Sequence, residues 1–359
     1  MKKVLLYIGS MQKGGAQRVM SVIADCLINM DCEVVLINDI IPVEGVPEYE
    51  INRNVRRNFL DNSSKPNFFL KNFHRIAKLR QTIILEKPDC ILSFLGPTNI
   101  RMLISSIGLK VRKVVSVRND PYREYGRGLK RWISRLVFLL SDFTVFQTRD
   151  ASTYFSKSVR QKSVVIPNPV SDEFYQHDWS GKGQNIVAIG RLHSQKNYPL
   201  LIKAFAKISQ QYKNTNLDIY GDGTLKENLK HLCKELGVSK RVNFHGTVSN
   251  IPEILENSKL FVMSSNYEGM PNALMEAMAV GVPVISTDCP CGGPKELTDA
   301  GKYGILTPCE DITKFADALN KMLSSSDTLN CYHKLAKQKA SEYKANIIMS
   351  KWYDVLICN

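Results

Sequence analysis

Residues 264–293, SSNYEGMPNALMEAMAVGVPVISTDCPCGG, decide how this chain is read. A small-polar loop carries Glu268, turns through Gly269 and Pro271, continues as a short apolar helix holding Glu276, and stops at Gly281. Pro271 suits a first helical position because the N–H it lacks would find no intrahelical partner there. Gly281 suits a helix stop, and residues 282–286 (VPVIS) read as a buried parallel strand.

A helix start leaves backbone N–H groups unpaired and carries partial positive charge, so it can hold a phosphate without a cationic side chain. Glu268 lies just outside this start and Glu276 one to two turns inside it, on either side of the anion site that the Gly269/Pro271 break creates. A ligand with hydroxyls at both ends and phosphates between them, such as a nucleotide sugar, suits that arrangement. Acidic residues also collect near helix starts merely to complement the dipole. Against that reading, Glu276 sits among Leu274, Met275, Ala277 and Met278, and a carboxylate in so apolar a turn needs a partner.

Upstream of this stretch, a strand over 186–189 is followed by Gly190-Arg191-Leu192-His193-Ser194-Gln195-Lys196-Asn197 and a helix over 198–211. Arg191 and Lys196 both fall between strand and helix, where a fork and a point charge can meet one diphosphate. Further strands are expected at 217–220, 242–245 and 260–263, with helices alternating, so this half reads as a doubly wound sheet. His193 and His245 read as structural.

The first half starts as a second such sheet: strand 4–8, a loop through Gly14 and Gly15, helix 16–29 and strand 32–38. The glycine pair lets backbone approach a ligand, but it is not G-x-G-x-x-G, so a dinucleotide fingerprint is absent. A polar loop over 42–67 leads to helix 68–86 and strand 88–95, and strand 114–117 ends in Arg118-Asn119-Asp120-Pro121. Asn99, Arg118, Asn119 and Asp120 occupy strand carboxyl ends, the positions that line the crevice of an open α/β sheet, although Asp120-Pro121 could equally start a turn. Strands 143–147 and 163–166 flank a capped helix start at 150–154, and Pro167-Asn168-Pro169 marks a domain boundary. Between them, Leu129, Trp132, Ile133, Leu136, Val137 and Leu140 recur at helical spacing, with Lys130, Arg131 and Arg135 on other faces. Such a helix suits an anionic membrane interface, or covers the sheet with its basic side solvated.

Composition bounds these readings. The chain has 359 residues, 44% of them hydrophobic, enough for two cores. The apolar run at the N-terminus ends after Ile8 and reads as a strand rather than a signal peptide, and no apolar run is long enough to span a membrane. Nine cysteines without a CxxC pair point to reduced thiols in a cytoplasmic setting, and the scattered histidines offer no metal cluster. Net charge is +14; residues 1–170 carry 27 Lys and Arg against 14 Asp and Glu, so the basicity belongs to the first half. That half should face something anionic: a membrane surface, a phosphorylated lipid or a nucleic acid.

The segments GRLHSQKN (190–197), LDIYGDG (217–223), VNFHG (242–246) and above all EGMPNALME (268–276) resemble family 4 retaining glycosyltransferases of the GT-B fold. Gly14-Gly15-Ala16-Gln17-Arg18, Ser93-Phe94-Leu95 and Arg118-Asn119-Asp120-Pro121 are most similar to bacterial transferases that move N-acetylhexosamine or galactose onto lipid-linked or capsular glycans. The resemblance implies two Rossmann-like domains facing a central cleft: residues 1–168 for the acceptor, 169–340 for the nucleotide sugar, and a terminal helix over 341–359 that crosses back to the first. It implies that Glu268 approaches the donor sugar and Glu276 binds the ribose. Arg191 and Lys196 would neutralise the diphosphate, helped by Gly190, the segment Met270-Pro271-Asn272-Ala273 and the Gly14-Gly15 loop. Where many relatives place a His near the sugar, this chain has Thr98 and Asn99.

The expected reaction is metal-independent transfer with retained anomeric configuration, the leaving phosphate accepting the acceptor's proton, because no D-x-D clamp occurs in the sequence. No cofactor is expected. Uridine diphosphate donors are favoured over guanosine diphosphate ones by the resemblance, with peripheral attachment to the inner face of the cell membrane. A GT-B epimerase or hydrolase, a non-catalytic donor-binding subunit and a nucleic-acid-binding protein are the competing readings; no nucleic-acid motif is present.

Overall fold

A computed structural model describes residues 1–12, 14–60 and 67–358. Its contacts divide the chain into two compact units, residues 1–168 together with 346–359, and residues 169–345.

The first unit is a parallel sheet of β1 (Lys3–Ile8), β2 (Glu33–Asn38), β3 (Arg56–Phe59), β4 (Cys90–Phe94), β5 (Arg112–Val117), β6 (Phe143–Phe146) and β7 (Ser163–Val165), in the order β3-β2-β1-β4-β5-β6-β7. Val4 pairs with Val34 on one side and Cys90 on the other, so strand order reverses between β1 and β4. Chains leave both strands there in opposite directions, and a crevice opens at their carboxyl ends. β1, β2 and β4 are buried almost throughout, as strands covered on both faces must be.

The second unit repeats the plan with β8 (Ile186–Ile189), β9 (Leu217–Tyr220), β10 (Val242–Gly246), β11 (Leu260–Met263), β12 (Val284–Thr287) and β13 (Ile305–Thr307), in the order β10-β9-β8-β11-β12-β13. Its reversal lies between β8 and β11, the two strands that feed the loops at 190–197 and 264–271. GT-B is thus two doubly wound sheets in one chain.

Asn99, expected at a strand carboxyl end, lies instead on the helix Gly96–Ser105, and the other departures noted here fall at sheet edges and helix ends. β3 lies inside the stretch read as a polar loop over 42–67, of which 61–66 falls outside the described residues. Its sequence RRNF has no apolar alternation to announce it. β13 is three residues long; both are short edge strands of the kind that avoid unwanted pairing. The helix start expected at 150–154 is Arg149–Ser152, capped by Thr148, followed by a second helix at Lys157–Gln161. The terminal segment forms Ala345–Tyr353, whose Trp352 is buried with its ring 5.6 Å from Phe94, inside the core that includes Val4, Leu92 and Ile166.

One helix is turned opposite to the covering arrangement. Leu129–Val137 buries only Ser134, while Leu129 is 71% and Trp132 60% exposed, and Ile133 and Leu136 are exposed too. Arg131 points inward instead, donating to the Tyr154 carbonyl at 3.3 Å with its guanidinium over the Tyr122 and Tyr154 rings.

Candidate functional site

In the second unit, helix Asn272–Val280 is buried all round, from Leu274 to Val280, and Gly281 ends it at φ +87° with Val282 N–H returning to the Ala277 carbonyl. Pro271 stands as the cap just before it, in extended backbone, one position earlier than the spacing suggests. The first turn contains no acidic residue, so no carboxylate on the helix itself offsets the positive field of its start. Met270, Asn272 and Ala273 lie at this start, and Glu276 is buried one turn in.

Glu268 is buried and does not stand apart from the cation of the facing loop. Lys196 Nζ lies 2.7 Å from its Oε1, which Ser265 Oγ also reaches at 2.7 Å, while Gln195 Nε2 approaches Oε2 at 3.3 Å. The sequence reading placed Lys196 on phosphate and Glu268 on sugar as separate elements; the fold joins them as one ion pair. Further bonds lace the two loops together: Ser264 Oγ to the Lys196 carbonyl at 2.8 Å, Asn266 N–H to the Gln195 carbonyl at 2.8 Å, and Asn197 Nδ2 to Asn266 Oδ1 at 2.9 Å. Arg191 is exposed and, among the described residues, its guanidinium has no hydrogen bond or ion pair, so it remains available to an anion.

Residues 289–292 supply a clamp that sequence reasoning missed. Glu268 N–H donates to the Pro290 carbonyl at 2.8 Å and Cys291 N–H returns to the Glu268 carbonyl at 3.0 Å, fixing the Glu268 backbone on both sides. A Cβ at Gly293 would stand 1.8 Å from the Gly269 carbonyl oxygen, so only glycine lets these loops close. Gly221 has the same constraint against Gly190, at 2.1 Å from its carbonyl oxygen, and this packs the GDG loop onto the 190–197 loop. The signal for both was the repeated glycine after a strand. His193 caps the short 194–196 turn, and His245 stacks on Tyr220 at 4.5 Å and meets Asp218 at 3.1 Å, both structural placements.

In the first unit, Gly14 caps helix Gly15–Asn29, whose first turn is also free of acidic side chains. The strand-end polar set behaves differently from the reading of it as a crevice wall. Asn99 is wholly buried, its oxygen taken by Ser93 Oγ at 2.7 Å and its amide donating to the Ser116 carbonyl and Tyr125 hydroxyl, both at 2.9 Å, so it glues β4 to β5. Asp120 caps the turn Pro121–Glu124 through Tyr122 N–H at 2.9 Å, the alternative already visible in Asp120-Pro121. Asn119 is half-buried and bonds Asp120 N–H at 2.9 Å. Arg118 is buried as well. A cluster the sequence did not announce joins Asp39 to Tyr7 at 2.6 Å and to Arg101, at the carboxyl ends of β1 and β2.

Two family models meet along the chain: Glycosyltransferase Family 4 over residues 13–174 and Glycosyl transferases group 1 over residues 170–341. The chain belongs to the family 4 glycosyltransferases. This glycosyltransferase is 27% identical over 363 residues to a Campylobacter jejuni enzyme, covering 99% of this chain and 98% of that one. That relative is named GalNAc-alpha-(1->4)-GalNAc-alpha-(1->3)-diNAcBac-PP-undecaprenol alpha-1,4-N-acetyl-D-galactosaminyltransferase. The amylovoran biosynthesis glycosyltransferase AmsD of Erwinia amylovora is 25% identical, with 99% of each chain covered. Among solved structures, Anabaena HepE in complex with UDP superposes with a TM-score of 0.80 at 18% identity, 99% of each chain covered.

Proposed function

We propose that this glycosyltransferase moves a hexose or N-acetylhexosamine from a uridine diphosphate sugar to a lipid-linked or oligosaccharide acceptor, without a metal and with retention of anomeric configuration. The observation that carries the donor assignment is the Lys196–Glu268 pair at the open start of a buried helix, with Arg191 uncommitted in the same loop. The UDP in HepE and the diphospho-undecaprenol acceptor in the Campylobacter enzyme's name support the choice of donor and acceptor class.

Departure of a nucleoside diphosphate builds negative charge on its oxygens. Arg191, Lys196 and the backbone N–H groups of Met270, Asn272 and Ala273 meet that charge as donors, each such contact being worth about 2–4 kcal/mol. Glu268 then faces the sugar, and Glu276, one turn along, takes the ribose. Incubation with a panel of nucleotide sugars and a lipid-linked acceptor in excess EDTA tests this. Transfer with retained configuration is expected. A strict divalent-ion requirement overturns metal independence, and release of free sugar or an epimerised nucleotide sugar in place of transfer overturns the choice of reaction.

The first unit is proposed to rest on the cytoplasmic face of an anionic membrane. Among the described residues no helix is long and apolar enough to cross one. Helix Leu129–Val137 instead offers Leu129, Trp132, Ile133 and Leu136 outward, flanked by Lys130 and Arg127, the arrangement of a helix lying in an interface. Flotation with phosphatidylglycerol vesicles tests this: Trp132→Ser with Leu136→Ser should lose binding, and unchanged binding removes the proposed contact.

A further inference from the structure

At the carboxyl end of β4 the chain makes a turn that side chains resist: Leu95 adopts φ +77° and leads straight into helix Gly96–Ser105. Glu124 covers this helix start. Its Oε1 accepts the Gly96 N–H at 2.6 Å, and a Cβ at Gly96 would lie 2.7 Å from Glu124 Cγ, so the glycine makes room for the carboxylate. The second oxygen, Oε2, is buried with no hydrogen-bond partner. A carboxylate therefore occupies the place where a helix N-terminus would hold a phosphate.

Arg118, leaving β5, stands beside the same turn. Its guanidinium lies 4.6 Å above the ring of Phe94, the last residue of β4, and donates to Asn168 Oδ1 and, at 3.4 Å, to Ser116 Oγ. Its Nε is buried without a partner, and no described carboxylate comes within ion-pair distance of it. A buried cation so poorly compensated is costly unless an anion visits it. Burial draws Arg118 down to about 9, with the Glu124 charge opposing. Burial pushes Glu124 up to about 7, opposed by the Gly96 N–H and by Arg118, while Asp120 raises it. Of the other basic groups on neighbouring elements, Arg101 pairs with Asp39, Arg131 donates to the Tyr154 carbonyl, and Arg123, next to Glu124, lies 3.9 Å from Asp120.

We propose that Glu124 is an internal stand-in for phosphate: the Gly96 helix start and the Arg118 guanidinium form a subsite for the diphosphate of an anionic acceptor, which Glu124 admits by taking up a proton. Neutral Glu124 no longer repels the anion and offers it an O–H donor. This rests on the reading of the first unit as the acceptor side.

The probe is P1,P2-dimethyl diphosphate, whose charges do not titrate near neutrality. It is titrated calorimetrically into the full chain, with the donor site saturated by UDP, at pH 6 and pH 8. The wild type should bind about tenfold more weakly at pH 8, the ratio of protonated Glu124 at the two values. Glu124→Gln should bind at both pH values at least as tightly as wild type at pH 6, an effect that a merely structural carboxylate would not give. Arg118→Met should abolish binding at both pH values; if it does not fold, Glu124→Gln decides alone. A pH-independent wild type, or a Glu124→Gln protein that binds more weakly, overturns the proposal. UDP binding without a second anion site overturns the subsite and leaves the donor reading standing, whereas failure of UDP to bind overturns the donor reading itself.

Discussion

Lys196→Ala would leave the Glu268 carboxylate buried without its cation. The two groups are 2.7 Å apart, with side-chain exposures of 18% for Lys196 and 9% for Glu268, so water screens the pair only weakly. Removing one partner of a wholly buried pair costs about 3–5 kcal/mol. Ser265 Oγ and Gln195 Nε2 remain as donors to Glu268, which places the expected loss at about 3 kcal/mol, at the low end of that range. For a unit of this size that lowers the unfolding midpoint by about 6–12 °C. Adding Glu268→Gln to Lys196→Ala removes the stranded charge and should return about 2 kcal/mol of the loss, a coupling measured by a double-mutant cycle in thermal or denaturant unfolding. A Lys196→Ala protein as stable as wild type, or a double mutant showing the simple sum of the single effects, would refute the ion pair as the element that joins the two loops.

Other perturbations separate chemistry from scaffold. Glu268→Gln should lower kcat by about a hundredfold or more while leaving UDP affinity within a few-fold, since the proposed phosphate-binding groups remain in place; equal losses in both point to a structural role. Gly293→Ala drives a Cβ into the Gly269 carbonyl and must displace the loop before the helix start, so turnover should fall at least about tenfold in a protein that still folds, as steady-state kinetics would show. Burial raises Glu124 in the folded state to about 7 from 4.5. The stability this group contributes is therefore full below the unfolded value and lost as pH rises through 7. At pH 8, Glu124→Gln should be more stable than wild type by up to about 3 kcal/mol, and a variant less stable at pH 8 would contradict the buried, raised carboxyl.

Much of this was legible in the residues. Period and punctuation place the long buried strands, because a strand covered on both faces has to be apolar from end to end. EGMPNALME shows its helix start through Pro271 and its stop through Gly281. β3 and β13 were not legible, since a short edge strand is defined by backbone pairing rather than by side-chain pattern. Position along a strand indicated that Asn99 and Asp120 lie near the crevice, but not that their polar atoms are consumed by Ser93, Tyr125 and Tyr122. The pairing of Lys196 with Glu268 joins residues 72 apart, a separation at which spacing carries no information. Helix 129–137 announced its amphipathic pattern, while the direction its apolar side faces came only from packing: the inward side is given to Arg131 and Ser134, which meet Tyr154.

One loop cluster in the second unit, Arg191, Lys196, Glu268 and Glu276, is proposed to grip a nucleotide sugar for transfer. Its most direct test is transfer of labelled sugar from UDP-linked donors to a diphospholipid-linked acceptor, comparing wild type with an Arg191→Ala/Lys196→Ala protein that retains its fold. The wild type should give a glycosylated lipid product of retained configuration, and the variant should lose at least about a thousandfold in kcat/KM. Undiminished transfer by the folded variant would contradict the proposed grip.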